Sequence, residues 1–483
     1  MSIARTPTLP LVVALLLLGG CPRNPATGSR QLSLVSEEQE IELGQQAAAQ
    51  VEQQVGLYSD PAVQKYVSAV GKELAARSER PKLPWSFRVL DDPSPNAFAL
   101  PGGQIFITRG LMTYLVSEAE LAAVLGHEIG HVTAKHSVDM ISRTQLAELA
   151  FGVGTVLEPG LAKFGGLAGG GLQLLFLKFS RDDENQADVL GLRYLGRSGY
   201  AAQGMPNLLA TLGRQSALEP KGRLPTWLST HPSEADRVER TQELIRKEGV
   251  DPAAGKVERE GYLARIDGMA FGEDPRNGYF TGQTFVQPQL RISVEVPQGW
   301  KAQNLAATMA ALSPDQDAAF ELQVAGQVTL EQAAQQFAAS GVQTSQARGA
   351  TVNGLPALVM EFTASTDSGE LQGSATFIRQ AERTFALFTY AGAERLARYA
   401  DVFSQTVASF RPVSDPALLE VQPARVKIAR VAQPTTLEQF NAARPSSVDL
   451  QRLAVLNQVE PQTQLVPGAA IKRVVGGTAA RGG

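Results

Sequence analysis

The chain has 483 residues, 43% of them hydrophobic and 19% charged, with 44 lysines and arginines against 48 aspartates and glutamates for a formal net charge of -4. That balance, without a polybasic stripe, gives no electrostatic footprint for nucleic acid, and no nucleic-acid partner is expected. Length argues for about three domains, and the single cysteine, Cys21, excludes a disulfide within the chain.

In chain order, Arg5 precedes an apolar run from Leu11 to Leu18 that is much shorter than the roughly 20 residues needed to span a bilayer. It ends in Leu18-Gly19-Gly20-Cys21, which resembles the lipobox of bacterial lipoproteins. Residues 1-20 are therefore read as a signal peptide and Cys21 as the lipidated first residue of a membrane-tethered chain. Pro22 rather than aspartate after Cys21 favours the outer membrane, which places the protein in the periplasm. Further on, Gln104-Ile105-Phe106-Ile107-Thr108 follows a Gly-Gly turn and alternates like a strand.

The spacing of Leu121, Val124, Leu125 and Val132 predicts a helix opened by a capping box between Ser117 and Glu120. That helix carries His127-Glu128-Ile129-Gly130-His131. Residues four apart share a helical face, so His127 and His131 can aim two imidazoles at one metal, with Glu128 beside them as acid and base. Left inside an apolar helix without a metal, Glu128 would be buried and unpaired, which is costly. His136, five residues past His131, falls off the ligand face and is read as structural or solvent-exposed. The stretch Gly152 to Gly171, rich in glycine and apolar residues, is too interrupted to cross a membrane and is read as a flap over the cleft or as a loosely packed loop.

A catalytic zinc takes three protein ligands and keeps one position open. Glu184 is the best candidate for the third, since Glu184 and Asp188 are again four apart in a helical stretch, and one carboxylate can bind metal while the other orients a ligand histidine. Taken alone, Asp182-Asp183-Glu184 would read as an acidic helix start. Two imidazoles and a carboxylate favour Zn2+, one per chain.

Both halves of the pattern HExxH followed by SRxxExxAD are present, along with Asn24-Pro25-Ala26-Thr27-Gly28, Asn96-Ala97-Phe98-Ala99-Leu100-Pro101-Gly102-Gly103 and Thr230-His231-Pro232. The chain thereby resembles the BepA and HtpX type of gluzincin, the family that also contains the CAAX prenyl proteases, over about residues 22 to 250. The resemblance implies that His127, His131 and Glu184 bind zinc, that Glu128 is the catalytic acid and base, and that Asp188 supports a ligand from behind. It implies that 104-108 is the edge strand along which an extended peptide lies. It also implies that His231 sits on a loop that can cap the zinc, and that His231 or Arg237 can stabilise the oxyanion of the tetrahedral intermediate.

Beyond the turn-rich Gly272 to Gly278 the character changes to alternating strands, at 291-297, 357-362, 376-379 and 384-388, with amphipathic helices at 330-337 and 396-410. The last unit reads as a strand at 426-431, a helix opened by Thr436, a second helix at 450-457 and a strand at 471-474. This order resembles a LysM module, a type that often binds peptidoglycan, with Ala432-Gln433-Pro434-Thr435 where a Gly-Asp-Thr-type turn usually stands.

The expected architecture is α+β: a mainly helical gluzincin peptidase domain at 21-265 with a small edge-strand sheet, an antiparallel-sheet α+β domain at 283-413, a βααβ LysM-like domain at 424-475 and a tail at 476-483. The expected function is a lipid-anchored zinc endopeptidase of the periplasm that hydrolyses misfolded or assembly-stalled outer-membrane proteins. Unfolded proteins, the membrane, and peptidoglycan or the outer-membrane assembly machinery are its expected partners. The rival reading is a latent or non-proteolytic scaffold that holds clients or docks to the cell wall.

Overall fold

The computed structural model describes residues 24, 26-28, 34-142, 179-218, 227, 231, 236-305, 308-366 and 369-477. The expected leader with Cys21, the Gly152 to Gly171 stretch and residues 478-483 of the expected tail lie outside them. The fold is α+β, and no helix among the described residues is long and apolar enough to cross a membrane.

The first unit packs its helices around one small sheet, among them α1 (Glu37–Val55), α2 (Pro61–Ala75), α3 (Arg109–Tyr114), α4 (Glu118–Thr133), α5 (Arg181–Arg197), α6 (Gly204–Ala217), α7 (Arg237–Lys247) and α8 (Arg259–Ile266). Helix starts follow their capping chemistry, with the Asp60 side chain accepting from Ala62 and Val63 at α2 and a complete Ser180/Asp183 capping box at α5. At α4 the box is only half made. Ser117 accepts from the Glu120 amide, but the Glu120 carboxylate accepts instead from the Val116 amide at 2.8 Å and from the Gln458 side chain at 2.9 Å. A partner from far along the chain thus diverts a group that local sequence alone would assign to the cap.

Helix α4 is buried along almost its whole length, and it crosses α5 at glycines. A Cβ on Gly130 would lie 3.0 Å from the Ala187 carbonyl oxygen, and one on Gly191 would lie 3.1 Å from the His127 nitrogen. Only this close approach brings the side chains of both helices to one point, so the glycine inside the histidine motif serves the crossing.

The sheet has the order β1-β3-β2, with β1 (Ser86–Leu90) parallel to β3 (Gln104–Thr108) and β2 (Ala97–Leu100) antiparallel to it. This corrects the expectation for 104-108: that strand is central and buried at every position, not an edge. The reason is the parallel partner Ser86–Leu90, whose pairing is non-local and leaves no turn signature. Among the described residues β2, within the Asn96 to Gly103 segment, pairs only with β3 and forms the edge beside α4.

The second unit is built on an eight-stranded antiparallel sheet whose longest members are Ala318–Gly326, Leu355–Thr366, Gly369–Gln380 and Arg383–Gly392. Adjacent residues such as Phe377 and Ile378 fall in different apolar clusters, so both faces of this sheet are buried. The helix Leu330–Ala338 covers one face through Ala333, Ala334 and Phe337.

In the third unit the strands Ala424–Arg430 and Ala470–Gly476 pair antiparallel, with the helices Leu437–Ala443 and Leu450–Asn457 between them in sequence. The first of these strands also pairs on its other edge with β4 (Ala270–Phe271), Ala424 opposite Phe271 and Arg425 opposite Ala270. Lys472 is buried and donates from Nζ to the carbonyl oxygens of Thr113 and Leu115 at 2.8 and 2.9 Å, at the end of α3. Asn457 holds both backbone polar groups of Lys472. Through these bonds and the Tyr114, Val455, Leu456 and Val474 cluster, the third unit is seated against the start of α4.

Candidate active site

His127 and His131 come from successive turns of α4 and place their Nε2 atoms 3.0 Å apart. Glu184 enters from the first turn of α5, with Oε2 3.5 Å from His127 Nε2 and Oε1 3.4 Å from His131 Nε2. His231 closes the group: its Nδ1 lies 2.8 Å from Glu184 Oε1 and 3.4 Å from His127 Nε2. One ligand atom from each of these four residues falls within 4.8 Å of the others, and all four side chains are buried.

The residues fit a metal. Ligand atoms about 2.0-2.1 Å from a tetrahedral ion stand roughly 3.3 Å apart, which is the spacing of this group. Oε2 of Glu128 is buried without a hydrogen-bond partner among the described residues, an arrangement that is costly unless something else occupies the centre.

Support from behind is equally specific. His127 Nδ1 lies 3.0 Å from Asp188 Oδ1, so a proton there leaves Nε2 with its lone pair facing the centre. Arg237, from the first turn of α7, forks onto Asp188 at 3.0 and 2.7 Å and sets Nη1 3.0 Å from Glu184 Oε2. Its charge thereby faces two carboxylates, with the hydrogen bonds going to Asp188. Burial alone would raise the pKa of Glu184, but the neighbouring imidazoles of His231, His127 and His131 hold it well below the usual range. Burial likewise opposes ionisation of Asp188, and His127 and Arg237 reverse it. For His127, burial disfavours the charged form, yet Asp188 and Glu184 lift its pKa to about 9. His131 has no such excess of carboxylate, and burial drives its pKa well down.

Glu128 stands one step round the helix. Its Oε1 accepts from the Trp227 indole N–H at 3.1 Å and lies 3.7 Å from His231 Nε2. Trp227 stacks on His231 with centroids 4.8 Å apart at 20°, and the Arg237 guanidinium lies 5.1 Å from its ring. The Trp227 backbone amide donates to the Pro95 carbonyl, just ahead of edge strand β2. Thus Trp227 and His231 together cover Glu128 and the edge of the sheet.

The structure gathers His127, Glu128, His131, Glu184, Asp188, His231 and Arg237 at one centre, while Cys21 lies outside the described residues. Sequence reasoning passed over Trp227, whose only signal is its place one helical turn before His231. It also set His136 aside, yet His136 Nδ1 lies 2.9 Å from His131 Nδ1.

Residues 61-245 match the profile of Peptidase family M48. The chain is 32% identical over 258 residues to a Beta-barrel assembly-enhancing protease of Yersinia pestis, covering 52% of each chain. It is 34% identical over 233 residues to the Mitochondrial metalloendopeptidase OMA1 of Schizosaccharomyces pombe, covering 46% of this chain and 65% of that one. Against the Beta-barrel assembly-enhancing protease of Escherichia coli it is 29% identical over 262 residues. The chain thus spans about half the length of the assembly-enhancing proteases it matches.

Proposed function

We propose that the protein, whose residues 61-245 match peptidase family M48, is a zinc-dependent endopeptidase, lipid-anchored in the periplasm, that hydrolyses misfolded or assembly-stalled outer-membrane proteins. The observation that carries the reading is the buried group of His127, His131, Glu184 and His231 with Glu128 beside it. A bound zinc ion would supply a Lewis acid for the scissile carbonyl and a water of lowered pKa. Glu128 is placed to take a proton from an attacking water and to return it to the leaving amine. Its Oε2, free of partners among the described residues, is the atom available for this, while Oε1 is held by Trp227. An extended substrate lies along β2, next to the point just ahead of that strand where the Trp227 amide donates to the Pro95 carbonyl. The names of the bacterial relatives support the client class. The lipobox at Cys21 supports the anchor, and the βααβ unit supports docking to peptidoglycan or to the assembly machinery.

A latent state is favoured by one observation: His231 puts a ring nitrogen into the ligand group, the position a catalytic metal site leaves open. In this reading the resting enzyme is capped, and its holding of clients can precede cleavage. In this reading the role of His231 is that of a cap rather than of an oxyanion donor, and Arg237 keeps Asp188 and Glu184 in place.

The test is cleavage of unfolded casein by the zinc-loaded chain without its leader, beside Glu128→Gln. Cleavage that disappears in the variant, with zinc content and thermal stability preserved, is the expected result. Equal cleavage by both proteins would remove Glu128 from the mechanism, and no cleavage by the wild type even after the cap is opened would leave only the holding role.

A further inference from the structure

The two ligand histidines of α4 are oriented in different ways. His127 has a carboxylate behind it, Asp188, itself clamped by Arg237. His131 has another imidazole: the Nδ1 atoms of His131 and His136 are 2.9 Å apart. We propose that His136 is a positioning residue that fixes the tautomer and ring angle of His131, held beneath it by a braced turn at the end of α4. This inference rests on the metallopeptidase reading above.

Helical spacing would carry a residue five positions on well off the face of His131. The helix, however, ends at Thr133, and Lys135 adopts φ 60°, a left-handed conformation that a residue with a side chain enters at a cost. The chain reverses there and brings His136 back under His131, buried at 4% exposure. Side chains from α1 and from the loop before β1 hold that reversal in place. Lys135 Nζ lies 3.6 Å from Glu40 Oε2, Glu40 takes two bonds from Arg80 at 2.8 and 2.9 Å, and Arg80 also donates to the Val132 carbonyl. The last turn of α4 and the residue that reverses the chain are thereby tied to one buried ion pair.

Two Nδ1 atoms at hydrogen-bond distance share a single proton. If it belongs to His131, then His131 Nε2 carries a lone pair and can bind metal. If it belongs to His136, the proton of a neutral His131 moves to Nε2 and the ligand is lost. His136 therefore has to keep its own proton on Nε2. That atom makes no hydrogen bond among the described residues but lies 3.6 Å from Asp183 Oδ1, whose negative charge favours a proton there, and Asp183 is fixed by its capping bonds to Ser180 at the start of α5. The Phe179 ring, 4.1 Å from His131 between centroids and tilted by 31°, walls the pair on the other side. Neighbouring residues of one helix start thus divide the work: Glu184 faces the metal group, and Asp183 faces the histidine that orients His131.

The experiment is zinc affinity, by chelator competition, for the wild type, His136→Phe and His136→Asn, with melting curves of all three in excess EDTA. Phenylalanine fills the space but accepts no hydrogen bond; the side-chain oxygen of asparagine can accept from His131 Nδ1. His136→Phe should bind zinc about 10- to 100-fold more weakly, the usual effect of losing a partner behind a ligand, and His136→Asn should stay within about threefold of the wild type. Melting temperatures in EDTA should agree within a few degrees. Unchanged affinity in His136→Phe would overturn the proposal, and so would equal losses in both variants accompanied by equal melting losses in EDTA, which would mean packing alone. A wild type that takes up no zinc would sink the parent reading and this one with it.

Discussion

Replacing His231 by alanine should raise the rate of peptide cleavage. In the closed arrangement the imidazole is held by its bond to the ionised Glu184 at 2.8 Å and by stacking on Trp227. A hydrogen bond to a charged group is worth about 1.5-3 kcal/mol and an aromatic pair about 0.5-1.5 kcal/mol, together about 2-4.5 kcal/mol. At about 1.4 kcal/mol per factor of ten, their loss enlarges the open population roughly 30- to 1,600-fold. The observed gain stops where the open form dominates, so the estimate is an upper range. The assay is initial-rate cleavage of a fluorescent unfolded protein, with zinc content measured on the same samples. A fall in turnover at unchanged zinc content would refute the cap and leave the imidazole acting on the reacting carbonyl instead. No change in rate would show that the position governs neither step.

Two further outcomes follow from contacts away from the centre. Lys472→Met keeps the volume but leaves the Thr113 and Leu115 carbonyls unpaired at about 1-3 kcal/mol each, so the protein should be less stable by about 2-6 kcal/mol in denaturant unfolding. An equal or greater stability would mean that burying the amine costs as much as its two bonds return, since burial pushes its pKa down to about 7. In the middle unit, burial would raise the pKa of Asp317, but Tyr399, Arg395 and Ser313 hold it well below the usual carboxylate range. A carboxyl whose folded pKa is lowered contributes stability above its unfolded value of about 3.9 and loses it as pH falls toward the folded one. Acid unfolding followed through Trp300, which packs on Tyr399, should steepen below about pH 4, and Asp317→Asn should flatten that slope. Identical pH profiles would exclude this pair as the source.

The gathering of His127, His131, Glu184 and Asp188 was legible because its signals are local. Two histidines four apart and two carboxylates four apart each lie on one helical face whatever else the chain does. What escaped depends on partners distant in sequence or on conformations without a signature. The central place of 104-108 is set by the parallel strand Ser86–Leu90, and the half-made cap at Ser117 is set by Gln458. Lys472 reads as an ordinary surface lysine until the fold buries it. His136 escaped because a left-handed lysine, rather than a glycine or proline, ends the helix, and helical spacing then misplaces everything after it. Trp227 acts through Glu128 and His231, which only the folded chain brings to it.

The pairing of Phe271 with Ala424 has a consequence for how this chain could have been assembled and could be taken apart. These residues face each other as the two ends of an antiparallel hairpin do, so the sheet treats residues 272-423 as a single very long loop between adjacent strands. The entropic cost of closing a loop rises only with the logarithm of its length, so a whole folded unit can occupy that position at little more expense than a short connection. Its neck is locked by Arg109, which donates to the carbonyl oxygens of Ala270 and Gly272. The middle unit is in this sense a cassette: exchanging it for a short turn, or for a different folded insert with close-set termini, leaves the strand partners on both sides in register.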